Sequence, residues 1–267
     1  MKMKYTIPVL TMACMLVFGL TGCNLAGGTV SVSDQETAEA IAATLLEGDG
    51  GDFSLVNSED DDDQARSLDA RSLEVTRTRE YQYSTVETSF TKTWYNGDWV
   101  NEVDPPEAYD RFSKVGTHIV TLNGPRMDGS MQGSMDLQIL LGQTDGVDTY
   151  SMTGTTARTG DMTHPDLESQ RTVTRTVDIS KEYAAVVMLR DDIGDGDGQI
   201  MPLSGTVTIT GEIYREATGG FGSRSEQRII DAEITYDGST RLRVRFRDTD
   251  TEVLIDASTG EVVADTP

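Results

Sequence analysis

From residue 71 onward, apolar and polar side chains alternate in short runs broken by Gly, Asn and Asp. Leu242, Val244 and Phe246 fall on one side of an extended chain, and Arg241, Arg243, Arg245 and Arg247 fall on the other. That period of two marks a half-buried strand. The same texture predicts strands near 72–84, 86–95, 98–103, 117–123, 129–142, 147–158, 170–179, 182–190, 204–216, 226–237, 240–248 and 251–257. Asn96-Gly97, between Trp94 and Trp99, reads as a tight hairpin, because both turn residues must accept positive φ. Asp237-Gly238, the stretch Asp248–Asp250 and Ser258-Thr259-Gly260 supply further turns. Connections this short make successive strands antiparallel neighbours. The expected fold is all-β, an antiparallel meander closed as a barrel or folded as a sandwich to bury its apolar face.

One helical pattern precedes the strands. Ser33-Asp34-Gln35-Glu36 has the form of a capping box, and Ala38, Ile41, Ala42, Leu45 and Leu46 then share a face. A short helix over 33–47 is expected to pack on the β domain. Residues 48–70 are rich in Gly, Ser and Asp, with Glu59-Asp60-Asp61-Asp62-Asp63 at their centre, and read as a flexible acidic linker. The β domain then occupies 71–267. Val75-Thr76-Arg77-Thr78 recurs as Val173-Thr174-Arg175-Thr176, an echo that chance explains better than duplication.

The beginning of the chain has another character. Lys2 and Lys4 precede an almost wholly apolar run from Ile7 to Leu20, shorter than the roughly 20 residues a membrane span needs. A basic start, an apolar core and a small-residue cut site form an export signal. Leu20-Thr21-Gly22-Cys23 resembles the lipobox of bacterial lipoproteins. The resemblance implies loss of residues 1–22, a diacylglycerol on the Cys23 thiol, acylation (palmitate included) of the new amino terminus, and a lipidated tether over 23–32. Several acyl chains together hold a protein on a bilayer where one does not. Asn24, where retained inner-membrane lipoproteins commonly have Asp, points to the outer membrane. Cys14, the other cysteine, lies within the segment that would be removed. A processed chain therefore has no free thiol for disulfides, zinc-thiolate sites or nucleophilic catalysis.

Charge narrows the partners. The formal net charge is −23, with 45 acidic residues against 22 basic ones. Such a surface repels nucleic acid and anionic headgroups and attracts cations. Aspartate outnumbers glutamate 28 to 17, and beyond Lys4 the only lysines are Lys92, Lys114 and Lys181. This usage resembles the proteins of salt-loving bacteria and suggests halophilic adaptation. An acidic extracytoplasmic protein of another marine organism is the alternative.

Candidate chemistry is sparse. In the stretch 191–200, Asp195, Asp197, Gly198 and Ile200 match the third, fifth, sixth and eighth positions of an EF-hand-type calcium loop. Ile193 stands where the first ligand belongs and Ser204 where a bidentate Glu belongs; Asp192 or Asp191 could serve only on a bulged backbone. An adapted Ca²⁺ turn is thus weighed against a solvated hairpin loop, which is the favoured reading. Arg241, Arg243, Arg245 and Arg247 form a ladder able to hold phosphate, sulfate or carboxylate. Asp231, Glu233, Glu252 and Asp256 on neighbouring strands favour a structural salt lattice instead. His118 and His164 are the only histidines, and no nucleophile elbow, zinc-protease helix or phosphate loop occurs. Trp94, Trp99 and Tyr95 read as core and rim of one hairpin rather than a sugar platform.

These features lead to a cell-envelope lipoprotein with a non-catalytic binding or structural β domain, whose partner would be an envelope polysaccharide or protein. The alternative is a carrier of lipid or small ligands. It resembles in plan the periplasmic lipoprotein carriers, which set a helix against a curved antiparallel sheet. A carbohydrate-active enzyme is the third class, with no motif behind it.

Overall fold

Side-chain alternation of this kind buries one face of each strand, and the strands pair in the order in which they leave the turns. The computed structural model describes residues 34, 37–38, 41, 71–81, 84–100, 102–103, 109–124, 127–166, 171–189, 202–219, 222–256 and 262–263. Strand makes up 83% of the described chain and helix 3%, which fixes the class as all-β. The strands are β1 (Ser72–Tyr81), β2 (Ser84–Tyr95), β3 (Arg111–Gly124), β4 (Met127–Thr144), β5 (Val147–Asp166) and β6 (Arg171–Leu189). They continue as β7 (Ser204–Gly219), β8 (Gly222–Tyr236), β9 (Arg241–Phe246), β10 (Thr251–Asp256) and β11 (Val262–Val263). All eleven form one antiparallel meander in which each pairs with the next.

The sheet is not closed into a barrel. Its last strand is two residues long and is occupied with β10, through Leu254↔Val263 and Ile255↔Val262. A seam between β11 and the ten-residue β1 is not formed among the described residues. The apolar face is buried all the same. One contiguous cluster takes side chains from every strand from β1 to β10, among them Val75, Trp94, Phe112, Leu137, Met152, Tyr183, Ile209, Ala232, Val244 and Ile255. The sheet therefore curls about its own inner face. Asp34, Thr37, Ala38 and Ile41 have helical backbone, and the last three are buried against that cluster or beside it.

Local chemistry explains the turns and the bend. Asp145 and Gly146 both have positive φ, 53° and 80°, so β4 and β5 are joined by a two-residue mirror-image turn suited to twisted strands. Gly154 has φ +132°, and a Cβ there would lie 2.1 Å from the Asp136 carbonyl oxygen, so only glycine lets β4 and β5 approach this closely. In β6 the pairing slips between Ala184 and Val187, with Ala185 at φ 50°, a bulge that passes the inward role from Tyr183 to Val186.

Two expectations from the sequence need correction. Residues 98–100 and 102–103 are not a strand. Gly97 does turn, with φ 79°, but β2 pairs with β3 from Tyr95↔Arg111, and only the bridge Tyr95↔Glu102 marks the intervening excursion. Its ends are fixed by the Asp110 carboxylate, which accepts from the Gly97 amide at 3.2 Å, and by Asp98, which accepts from the Val100 amide at 2.9 Å. The Arg111 hydrogen bond holds the Asp110 carboxyl below its ordinary range, with burial opposing and the Gly97 amide assisting. Second, the strands expected at 170–179 and 182–190 are one, β6. Ser180-Lys181-Glu182 resembles a polar break, yet Lys181 faces inward between Ile179 and Tyr183, so the alternation never stops. The turn at 258–260, the linker at 48–70 and most of the capping box lie outside the described residues.

Candidate functional site

Residues singled out by the sequence fall in three places. Cys23 and the candidate calcium residues Asp192, Asp195 and Asp197 lie outside the described residues. Among those described, no group of three or more His, Cys, Asp or Glu could hold a metal ion. The arginines of β9 alternate outward against the buried Leu242, Val244 and Phe246. On that outer face Arg243 pairs with Glu252 at 2.5 Å, Arg245 with Asp250 at 2.9 Å, and Arg247 with Glu233 at 2.6 Å and Asp231 at 3.4 Å. The acids serving Arg243 and Arg245 come from β10 and the turn before it, and those of β8 serve Arg247. The two histidines stand apart. In register, His118 lies opposite Gly133, which in turn lies opposite Arg158; His164 is six residues further along β5, on the order of 20 Å at strand rise. Trp94 is in the core, whereas Trp99 meets Tyr95 edge-on at 5.3 Å beneath the Arg111 guanidinium.

The inner face holds what the alternation did not announce. Lys92, Lys114 and Lys181 are 0–1% exposed, and His118 and Arg158 are buried with them. Among the described residues no Asp or Glu is buried. Lysine is almost never fully buried unless its charge is matched. Here three strands each bury one, and all three lysines beyond Lys4 are used this way. Lys92 and Lys114 are directly opposed across β2 and β3. Like charges in that relation repel. Each turns to aromatic rings: the Lys92 Nζ lies 4.4 Å from the Phe112 ring centre and 5.0 Å from that of Trp94. The Lys114 Nζ lies 4.7 Å from the Phe90 ring, which is in the opposite direction along β2. Each ammonium thus meets the negative face of a ring.

Two inward-facing rows further along the strands, His118 rests on the backbone of β4. A Cβ on Gly133 would come within 2.3 Å of the imidazole Cε1 and 2.5 Å of the Ala157 carbonyl oxygen, so glycine is what admits the ring. Lys181 lies in register between Thr156 of β5 and Ile209 of β7. The Thr156 and Tyr183 hydroxyls are 3.3 Å apart beside it. Methionines share this face with the aliphatic core: Met135, Met152 and Met188 are buried, and Met131 and Met162 are partly so.

The helix is tied to one edge of this face. The Asp34 carboxylate accepts from the Arg228 guanidinium of β8, from Thr251 of β10, and from the Thr249 hydroxyl at 3.0 Å. Burial pushes the Asp34 carboxyl up, but the hydrogen bonds from Thr251, Arg228 and Thr249 outweigh it and leave the group below its ordinary value. The Arg228 guanidinium also covers the Phe246 ring at 4.9 Å.

Among the described residues, the buried charged side chains are all basic. Comparison with protein-family models, with curated proteins and with solved structures finds no significant match. The inner lysines did have a signal in the sequence. Phe90-x-Lys92-x-Trp94 and Ile179-x-Lys181-x-Tyr183 each put a lysine on the same face as two large apolar neighbours.

Proposed function

We propose that the chain is a lipid-anchored protein of the bacterial cell envelope, held at the outer membrane through Cys23, whose β domain binds rather than catalyses. The anchoring rests on Leu20-Thr21-Gly22-Cys23 at the end of an apolar core of signal length. Binding is supported by one observation above all: buried basic side chains lie on the inner face of a sheet whose outer face carries ion-paired arginines and exposed acids. The carrier reading, a lipid or small apolar ligand taken up inside the sheet, is favoured by a second observation. The sheet is unclosed, and the helix residues Thr37, Ala38 and Ile41 are buried beside its inner face.

Metabolic labelling with radioactive palmitate tests the anchor. Label is expected in the native chain and not in Cys23→Ser, which should leave the membrane fraction. A Cys23→Ser chain that stays membrane-bound and is still cleaved before residue 23 would exclude the lipoprotein assignment.

A further inference from the structure

We infer that the acidic stretch Glu59-Asp60-Asp61-Asp62-Asp63, in the segment that joins the helix to β1, docks on the basic inner face of β1–β6 and supplies its counter-charge. The inference is independent of the carrier reading, since the occupant belongs to the chain itself. Register places six basic side chains in three successive inner rows: Lys92 and Lys114, then Lys181, then Arg77, His118 and Arg158. Followed from β1 to β8, those rows contain no Asp or Glu. Five of the six side chains are buried, and all six make contacts within the chain. The ring faces beside Lys92 and Lys114 offset only part of what burial costs an ammonium. Carboxylates that match the remaining charge have to come from outside these rows.

Connectivity and charge select the segment. Ile41 of the helix is buried in the core cluster, and Leu73, the first inward residue of β1, stands directly opposite Lys92. Residues 42–70, which link the two, therefore start and finish at this face. They carry nine acids against one arginine. Asp63 precedes Leu73 by ten residues, a reach of up to about 35 Å when extended. That exceeds the roughly 24 Å from β1 to β6 at ordinary strand spacing. Five successive carboxylates also repel one another, so bringing them to buried cations relieves both partners. The other acid-rich connection, 190–201, leaves β6 beyond Val186 and Met188, two inner rows past the row of Lys92, Lys114 and Tyr183. Its acids are the control.

Scanning calorimetry of the full chain, carrying Cys23→Ser throughout, tests this by sign. In a chain of net charge −23, neutralising the acids of a solvated linker relieves repulsion and raises the melting temperature. Glu59→Gln with Asp60→Asn, Asp61→Asn, Asp62→Asn and Asp63→Asn should instead lower it by at least about 5 °C, failure to fold being the extreme of the same result. Neutralising Asp191, Asp192, Asp195 and Asp197 to Asn should not lower it. An unchanged or raised melting temperature, or an equal fall in that control, would overturn the docking. Carbodiimide labelling with glycinamide checks the native segment without substitution in it. Residues 59–63 should react at least about tenfold more slowly than the exposed Asp145, and at its rate once the chain is unfolded in urea. Native-state reaction at the Asp145 rate would also overturn the idea. The place of docking is read by ¹⁵Nζ-lysine NMR, with only five lysines to resolve. Asp61→Asn with Asp62→Asn should shift the Lys92 and Lys114 signals, and unmoved signals would put the segment elsewhere and exclude this face.

Discussion

Gly133 and Asp34 show how single positions set the inner face. Gly133→Ala puts a methyl group against the His118 ring and, less forgivingly, against the Ala157 carbonyl oxygen, which cannot move without disturbing β5. The substitution should cost about 1–3 kcal/mol, the usual range for overpacking a filled interior, measurable by urea unfolding. Asp34 fastens the helix through charge-assisted hydrogen bonds, so Asp34→Asn should lose roughly 1–2 kcal/mol at neutral pH. The sign of the pH dependence follows from the direction of the shift. A carboxyl held below its unfolded value stabilises the fold above that value, about pH 4, and loses the contribution as pH falls through the folded one. Unfolding curves of the two chains should therefore diverge at pH 7 and converge below about pH 4. A gap that stays constant with pH would mean that the Asp34 charge is not what holds the helix. Such single-residue roles were hardly legible in the sequence. Asp34 read as part of a cap, and the partners that depress its ionisation are some two hundred residues away along the chain.

Strands were far more readable than the excursions between them. The pattern of β9 could be read directly, because its inward Leu, Val and Phe alternate with arginine without interruption. The expected break between 179 and 182 is absent, because Lys181 faces inward between the buried Ile179 and Tyr183 and the alternation runs through it. Residues 98–103 were misread for the opposite reason. Trp99 and Val100 look like strand material, yet hydrogen bonds to Asp98 and Asp110 divert the backbone. At this scale the outer arginines can be tested. Arg243→Gln with Arg245→Gln removes exposed pairs to Glu252 and Asp250. The melting temperature should fall slightly at low salt, and the deficit should shrink in molar NaCl, since exposed pairs are weak and screened. A large loss independent of salt would show that these arginines do more than pair across the sheet.

Across the whole molecule the charges sort by side. A chain with 45 acids against 22 basic residues repels itself, and salt screens this within about 8–10 Å near physiological strength. Thermal stability should accordingly rise from tens of millimolar to molar NaCl, as scanning calorimetry can check, and a flat or falling melting temperature would argue against self-repulsion. Net charge and the all-β class could be read from composition and alternation. The sidedness could not, because it depends on register: only the pairing of β2 to β6 brings Lys92, Lys114, Lys181, His118 and Arg158 onto one face of the sheet.

That inside-out distribution of basic charge is the claim on which the functional reading depends, and amine labelling of the folded chain tests it most directly. With a water-soluble acetylating ester at neutral pH, followed by peptide mass spectrometry, Lys92, Lys114 and Lys181 should remain unmodified in the native protein. All three should be acetylated once it is unfolded in urea, because their native exposure is only 0–1%. Native-state modification of any of the three at the rate of an ordinary surface lysine would contradict the account, since the basic face would then be open to water and not the interior of the sheet.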